Sequence, residues 1–400
     1  MQITNTSTTI QNEIKRCQGI FRLEPAWVAR DFLPPGRRLG LPPEQYELGA
    51  RGGICERWLA STTRADNKVK VADEGLSFIK FHSGERIRLK DAIEAAPELM
   101  MGKKYARRYK GLRRLAKIFD YADRLPYHIH QMEKHARLVG CNSKEEAYYF
   151  PEDVPMGDSP DTYFGVHPYI ARQKKYDLLL PHLIAWQDDS ILQYSQAYKQ
   201  MPGDGFHVPA GTLHAPGSAL TIELQEDSDV FAMLQAKTMK GSISKDLLFK
   251  DVRQQDRKKW GEKYILKLID WKINGDPYFY ENRHTPPLEI KDNTQDGGKE
   301  FWIFYNTKKF SGKKLVVFPG AYYISRDKGI YNVVMWRGQG TFGQLEIKGQ
   351  DPDHDELLVC HERAVEPIRI ENHGADDLII YKFFGPDINP DVPFLKPYPG

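Results

Sequence analysis

Four cysteines in 400 residues (Cys17, Cys55, Cys141 and Cys360) are too few and too scattered for a disulfide framework. No Cys-x-x-Cys pair offers a thiolate metal site either. No apolar run reaches bilayer-spanning length, and the opening MQITNTSTTIQNEIKRC lacks the apolar centre of a secretory leader. A dominant charge is missing as well. With 57 Lys and Arg against 54 Asp and Glu, the net +3 argues for neither nucleic acid nor a membrane surface as partner. These absences point to a cytoplasmic protein with a small-molecule partner, as a monomer or homodimer.

What remains is a soluble globular composition, 40% hydrophobic and 28% charged, in a chain too long for one ordinary core. Two domains are therefore expected. Aromatic content of 12%, with 26 Pro and 32 Gly, favours short strands and turns over helical bundles.

Residues 1 to 18 are polar and read as a short helical lead. PPGRR and LGLPP mark loops, and ICERWLAST alternates as a strand. Leu89 to Asp123 is rich in helix formers, and its KKYARRYKGLRR run reads as a solvated basic helix face. Helical spacing returns around YIARQKKYDLLLPHLIAW and again from Ser244 to Trp271, which looks like a connector. Between and after these lie two β-rich blocks of similar texture, the second running from Phe301 to Phe384, without a strict repeat.

The chemistry concentrates in PYHIHQMEKHARLVGCNSKEEAYYF, Pro126 to Phe150. In an extended strand, side chains alternate, so His128 and His130 share one face. A carboxylate from the next strand, Glu145 or Glu146, can close a third side of a metal cage, and alternation does not choose between them. Glu133 and His135 lie nearer in sequence, but so short a segment does not easily turn them back to the same point. The second informative segment is PGDGFHVPAGTLHAPG, where a Gly-bracketed hairpin returns His214 toward the first strand. His207 precedes that turn with undetermined strand parity. Three imidazoles and a carboxylate suit Zn, Fe, Ni or Cu, and the carboxylate admits Mn.

These motifs, in this order, resemble those of the type I mannose-6-phosphate isomerases, zinc enzymes of the cupin superfamily. The family's Gln-x-His strand is matched by His128-x-His130, its Lys-x-Glu by Lys144-Glu145-Glu146, and its GD…VPAGTxHA turn by the segment ending at His214. Glu223 followed by Ser228-Asp229 stands for its E…SD segment, Glu56-x-Trp58 for its Gly-Glu-x-Trp, and LAKIFDYADRL for its LLKILDA…L, with Lys117 at the lysine. The likeness spans Phe21 to Leu234. It implies a mainly β fold of two cupin (jelly-roll β-barrel) domains with additional helices. Residues 1–240 would form the metal-binding cupin with a helical insertion around 89–123, residues 241–300 a helical connector and loop, and 301–400 a second, degenerate cupin without metal ligands.

The resemblance implies metal ligands His128, His130, Glu146 and His214, with one divalent ion, zinc first and Mn, Fe or Ni as the others. It implies a metal-dependent aldose–ketose isomerisation of a carbohydrate, a proton moving between neighbouring carbons through an enediol. Lys144 and Glu223 become the acid/base candidates, a lysine beside a divalent cation having its pKa lowered. Glu56, Trp58 and His207 become substrate-binding candidates. Two positions depart from the pattern. His128 replaces a glutamine, and Met233 stands where the family carries an arginine, ten residues after Glu223. A thioether cannot replace a forked guanidinium, so an altered substrate is expected. A cupin dioxygenase and a non-catalytic sugar-binding or regulatory protein are the competing readings. In the second block no His-x-His is present, Ile368 takes the usual histidine position, and His361-Glu362 reads as a turn or interface pair.

Overall fold

The computed structural model describes residues 2–399, with side chains from residue 7 onward. Its centre is a stack of four antiparallel sheets, paired into two barrels that lie against each other. The first barrel faces a five-stranded sheet against a six-stranded one. The five-stranded sheet runs Gln196–Lys199, Asp161–Phe164, Leu213–Ala215, His128–Ile129, Ala232–Met233. The six-stranded sheet runs Gly205–Val208, Glu146–Tyr149, Thr221–Gln225, Leu115–Phe119, Gly53–Leu59, Ala26–Arg30.

The strand alternation explains how both sheets are buried on both faces. In the five-stranded sheet Ile129, Leu213, Ala215 and Ala232 point outward into an apolar layer with Ile170, Leu179, Leu183, Leu248 and Leu268. These last come from the helical segments around Pro168–Ala185 and Lys245–Leu268, which cover the sheet. Odd-and-even reversal then sends His128, His130, His214 and Met233 inward. In the six-stranded sheet the outward residues Leu59, Ala116, Ile118, Ala147, Ile222 and Leu224 meet Phe304, Val334, Trp336, Ile379 and Phe383 of the second barrel. Its inward residues include Glu56, Lys117, Glu146 and Glu223, all buried. The usual amphipathic order is thus inverted, with charged residues facing the barrel interior and apolar ones the neighbouring barrel.

The second barrel pairs a nine-stranded sheet with the four-stranded sheet of Tyr322–Ser325, Ile368–Asn372, Gln339–Phe342 and Leu345–Lys348. The nine-stranded sheet contains Gly298–Phe304, Ser311–Val317, Leu378–Phe384, Tyr331–Arg337 and Glu356–Val359. It also contains Ile20–Glu24, which pairs with Glu356–Val359 through Ile20–Val359 and Arg22–Leu357. The helices Gln2–Arg16, Leu89–Ala95 and Pro97–Met101 contribute Ile10, Leu89, Ile93, Met100 and Met101 to the second barrel's core. A division near residue 240 therefore cuts across the structure, because the N-terminal segment is needed to cover the C-terminal barrel. The expected helix over 89–123 ends at Tyr109, and Leu115–Phe119 is a central strand. Helix formers are overridden there by burial between two sheets. Asp161–Phe164, too, is a strand ahead of the helical stretch.

Two further features tie the molecule together. Arg57, on the outward face of Gly53–Leu59, donates to Asp355 at 2.7 Å and to Glu356 at 3.1 Å across the barrel interface. Inside the second barrel, Lys382 and Lys313 alternate with Glu300 and Asp327, at 2.6 to 3.3 Å, in a closed charge quartet. His361 begins the short helix His361–Ala364, with its ring against Gly102. No helix among the described residues is long and apolar enough to cross a membrane.

Candidate metal centre

Register places the histidines before any side-chain detail is considered. His128 pairs directly with His214 on one side and with Met233 on the other, so all three side chains point the same way. His130, two residues on, shares that face. The three rings gather with centroids 4.1 to 5.1 Å apart, and their ligating atoms lie within 4.8 Å of one another. Facing them from the opposite sheet is Glu146, whose carboxylate lies 3.1 Å from His130 Nε2 and 3.0 Å from His214 Nε2.

The tautomers follow from the hydrogen bonds. Nδ1 of His128, His130 and His214 lies 2.7 to 2.9 Å from the carbonyl oxygens of Pro126, Val230 and Thr212 respectively. A carbonyl only accepts, so each Nδ1 carries the proton and each Nε2 offers a bare lone pair. Burial holds the His128 pKa well below its ordinary value and lowers that of His130 to about 3, with Lys144 adding to the effect on His130. Glu146 stays ionised: burial opposes its charge, but His130, Lys144 and His214 hold its carboxyl well below the usual range. Nε2 of His130, Nε2 of His214 and Oε2 of Glu146 are buried with no hydrogen-bond partner. Two imidazole Nε2 atoms and a carboxylate oxygen thus converge on one point with no partner, which a cation standing there would satisfy. The donor set fits a divalent metal ion, with the carbonyl bonds supplying the usual outer orientation of metal-bound histidines. The Tyr148 hydroxyl donates to the other oxygen of Glu146.

Around this cluster is a pocket lined by His128, His130, Glu146 and an unusual density of further charges. Glu223 sits between two lysines, 3.2 Å from Lys117 and 3.9 Å from Lys144. Burial, joined by the nearby negative charge of Glu146, pushes its carboxyl up to about 8. Lys144 lies 3.4 Å from Glu146, and Lys117 lies 3.9 Å from Glu56. Glu56 is the hub of a second network. It receives a forked bond from Arg30 at 3.0 and 3.3 Å, the Trp58 indole N–H at 2.7 Å and the Tyr121 hydroxyl. Burial opposes the Glu56 charge, yet Arg30 and Lys117 keep the carboxyl well below its usual range. Arg30 also reaches Asp229 at 3.4 Å, so its charge is fully engaged.

The structure therefore brings together His128, His130, His214, Glu146, Lys144, Glu223 and Glu56. It does not bring in every expected residue. His207 pairs with Ala147, not with Glu146, and so points out of the barrel. There it bonds Glu145 at 2.9 Å and receives the Asn306 amide at 3.1 Å, at the seam with the second barrel. Its parity was the missing information. Trp58 is 0% exposed on the same strand face as Glu56, donates to and orients that carboxylate, and is not among the residues that line the pocket. Glu133 opens the short helix Glu133–Ala136 and pairs with Arg137, away from the cluster. Sequence reasoning missed Arg30, Tyr121, Tyr148 and Phe231, which line the pocket. The arginine at an inward position of the strand AWVAR was the one readable signal, since a buried guanidinium requires a partner.

No family profile and no curated protein sequence matches the chain. Solved structures do. Mannose 6-phosphate isomerase from Bacillus subtilis superposes with a TM-score of 0.64 at 16% identity, covering 91% of this chain and 99% of that one. A single-site variant of phosphomannose isomerase from Salmonella typhimurium gives 0.60 at 13%, covering 91% and 99%. A zinc-bound mannose 6-phosphate isomerase gives 0.59 at 13%, covering 92% and 100%. The chain has the phosphomannose isomerase fold, a mainly β cupin-type architecture over nearly its whole length.

Proposed function

We propose that the chain is a metal-dependent aldose–ketose isomerase, with His128, His130, His214 and Glu146 holding one divalent ion, zinc by the likeness to the zinc-bound neighbour. The observation that carries this reading is the coexistence, in one pocket, of a preformed cation cage and an acid/base group beside it. When bound, such an ion supplies positive charge that stabilises an oxyanion developing on the sugar. The rest falls to side chains of this chain. Glu223, with its carboxyl raised to about 8, can both hold and release a proton near neutrality, which a carboxyl at its ordinary value cannot. Lys117 and Lys144 flank it and can orient a substrate hydroxyl or carry a proton to the neighbouring carbon. Glu56 is fixed by Arg30, Trp58 and Tyr121 and serves as an acceptor for sugar hydroxyls.

The substrate within this inner pocket carries no phosphate. Met233 sits beside His128 on the same face, and the one guanidinium present, Arg30, is committed to Glu56 and Asp229. A free sugar ring meets hydrogen-bonding groups there without needing an unpaired cation. The test is exchange of the C2 proton of free and phosphorylated hexoses in heavy water. Wild-type protein should exchange a free sugar, and His130→Ala should lose both bound metal, read by elemental analysis, and exchange. Full exchange in the His130 variant would sink the metal mechanism, and exchange of phosphorylated sugars alone would overturn the substrate assignment.

A further inference from the structure

Outside the metal pocket lies a larger groove of about 660 Å³, and the two share Arg30, Phe32 and Phe231 as a common rim. One wall is the segment 66–70. It is pinned to the rim by Arg30 donating to Asn67 at 2.9 Å and by the Asp66 N–H donating to Asp229 at 3.2 Å. The opposite wall is the hairpin of Lys237–Thr238 and Gly241–Ser242, whose Lys240 reaches back to the Asp31 carbonyl at 2.7 Å. The groove lining carries five cationic side chains against three carboxylates. Lys70 and Lys250 are paired with Asp66. Lys68 and Lys240 have no carboxylate partner among the described residues, and both line the groove. The inner pocket differs, since Arg30 is locked to Glu56 and Asp229 while Lys117 and Lys144 sit against Glu223 and Glu146.

We infer that the groove is a subsite for the acidic, non-reducing portion of an oligosaccharide whose reducing end enters the metal pocket. This rests on the isomerase reading above for its polarity. Aldose–ketose chemistry needs a free carbonyl carbon, so the reducing end must lie at the histidine cluster, and the shared rim of Phe32 and Phe231 leads the remaining sugars into the groove. Flat apolar rings at that junction suit the C–H faces of a sugar. At about 660 Å³ the groove is within the range of drug-sized ligand sites, about 300–1,000 Å³, room for more than a lone ion. Lys68 and Lys240, which have no carboxylate partner among the described residues, match carboxylates spaced along a uronate chain.

Trigalacturonic acid, mannotriose and inorganic phosphate serve as probes, titrated calorimetrically into the metal-loaded full chain at low and raised salt. Trigalacturonic acid should bind at least tenfold more tightly than mannotriose, and salt should erode that advantage. Lys68→Gln/Lys240→Gln should cut trigalacturonate affinity about tenfold while leaving mannotriose binding and C2 proton exchange on free mannose unchanged. Both substitutions are exposed, so folding is not at stake. Equal affinity for the two trisaccharides, an unaffected double variant, or phosphate binding as tight as trigalacturonate would each overturn the inference. The two readings fail separately. Lysine-dependent trigalacturonate binding without exchange on any sugar leaves the groove standing and removes the isomerase. Exchange on mannose without preference for the acidic trisaccharide does the reverse.

Discussion

At the scale of single residues, the molecule is governed by which lone pairs are left over. Each of the three pocket histidines spends Nδ1 on a backbone carbonyl within its own or a neighbouring strand, so Nε2 has one remaining use. Glu146 and Glu223 are both buried carboxyls on adjacent strands, yet their environments pull them apart, one held ionised and the other raised to about 8. Such separation of two carboxyls in one site is how acid/base roles are divided. Glu223→Gln is accordingly expected to retain metal, because Glu223 is not in the donor cluster, while C2 exchange falls by about 10²- to 10⁴-fold. Parallel metal analysis and exchange rates on the same preparation check this, and loss of metal in the variant would move Glu223 into the cage.

At the scale of elements, the tight turn between Gly205–Val208 and Leu213–Ala215 decides where His214 arrives. Gly211 lies there with φ +86°, and a Cβ at that position would stand 2.9 Å from Met132 Cγ. Its N–H donates to the His130 carbonyl, which links the turn to the first histidine strand. Gly211→Ala therefore combines an unfavourable left-handed backbone with a clash. It should destabilise the fold by about 1–3 kcal/mol in denaturant unfolding and weaken metal binding. Gly140 supplies the control, with φ +74° and open space where a Cβ would go, so Gly140→Ala should cost only about 1 kcal/mol. Equal losses in the two variants would show that packing around the turn contributes nothing.

At the scale of the whole molecule, the two barrels share one apolar seam, and one guanidinium is clamped across it. Arg57 serves both Asp355 and Glu356, so neither carboxylate has a cation to itself. Burial outweighs the attraction of Arg57 at Glu356 and raises its carboxyl to about 7 from an ordinary 4.5. Between those values the folded chain holds a proton that the unfolded chain has released. Stability contributed by this group is present at low pH, falls as pH rises through that window, and is level above it, an effect on the order of 3 kcal/mol. Glu356→Gln should remove this slope when unfolding is followed from pH 4.5 to 7, and an unchanged slope would place the titration elsewhere. In the second barrel, Lys313, Lys382 and Glu300 on the nine-stranded sheet, together with Asp327, neutralise one another. That barrel's interior is closed by charge pairing where the first is left open for a ligand.

Local pattern was enough to determine the strand carrying His128 and His130, the Gly-bounded turn before His214, and the β-rich character of both halves. These depend on period-2 alternation and on φ values that only glycine adopts freely, and both are properties of neighbouring residues. Only the tertiary structure decided that His207 faces the seam and Trp58 does not line the pocket, because strand parity and sheet order are set by partners far along the chain. It alone decided that the N-terminal segment completes the C-terminal barrel, and that Arg30 is captured by Glu56 and Asp229. Long-range pairing of buried charge leaves little local trace: an arginine in a strand such as AWVAR signals that a partner is needed, not which residue supplies it.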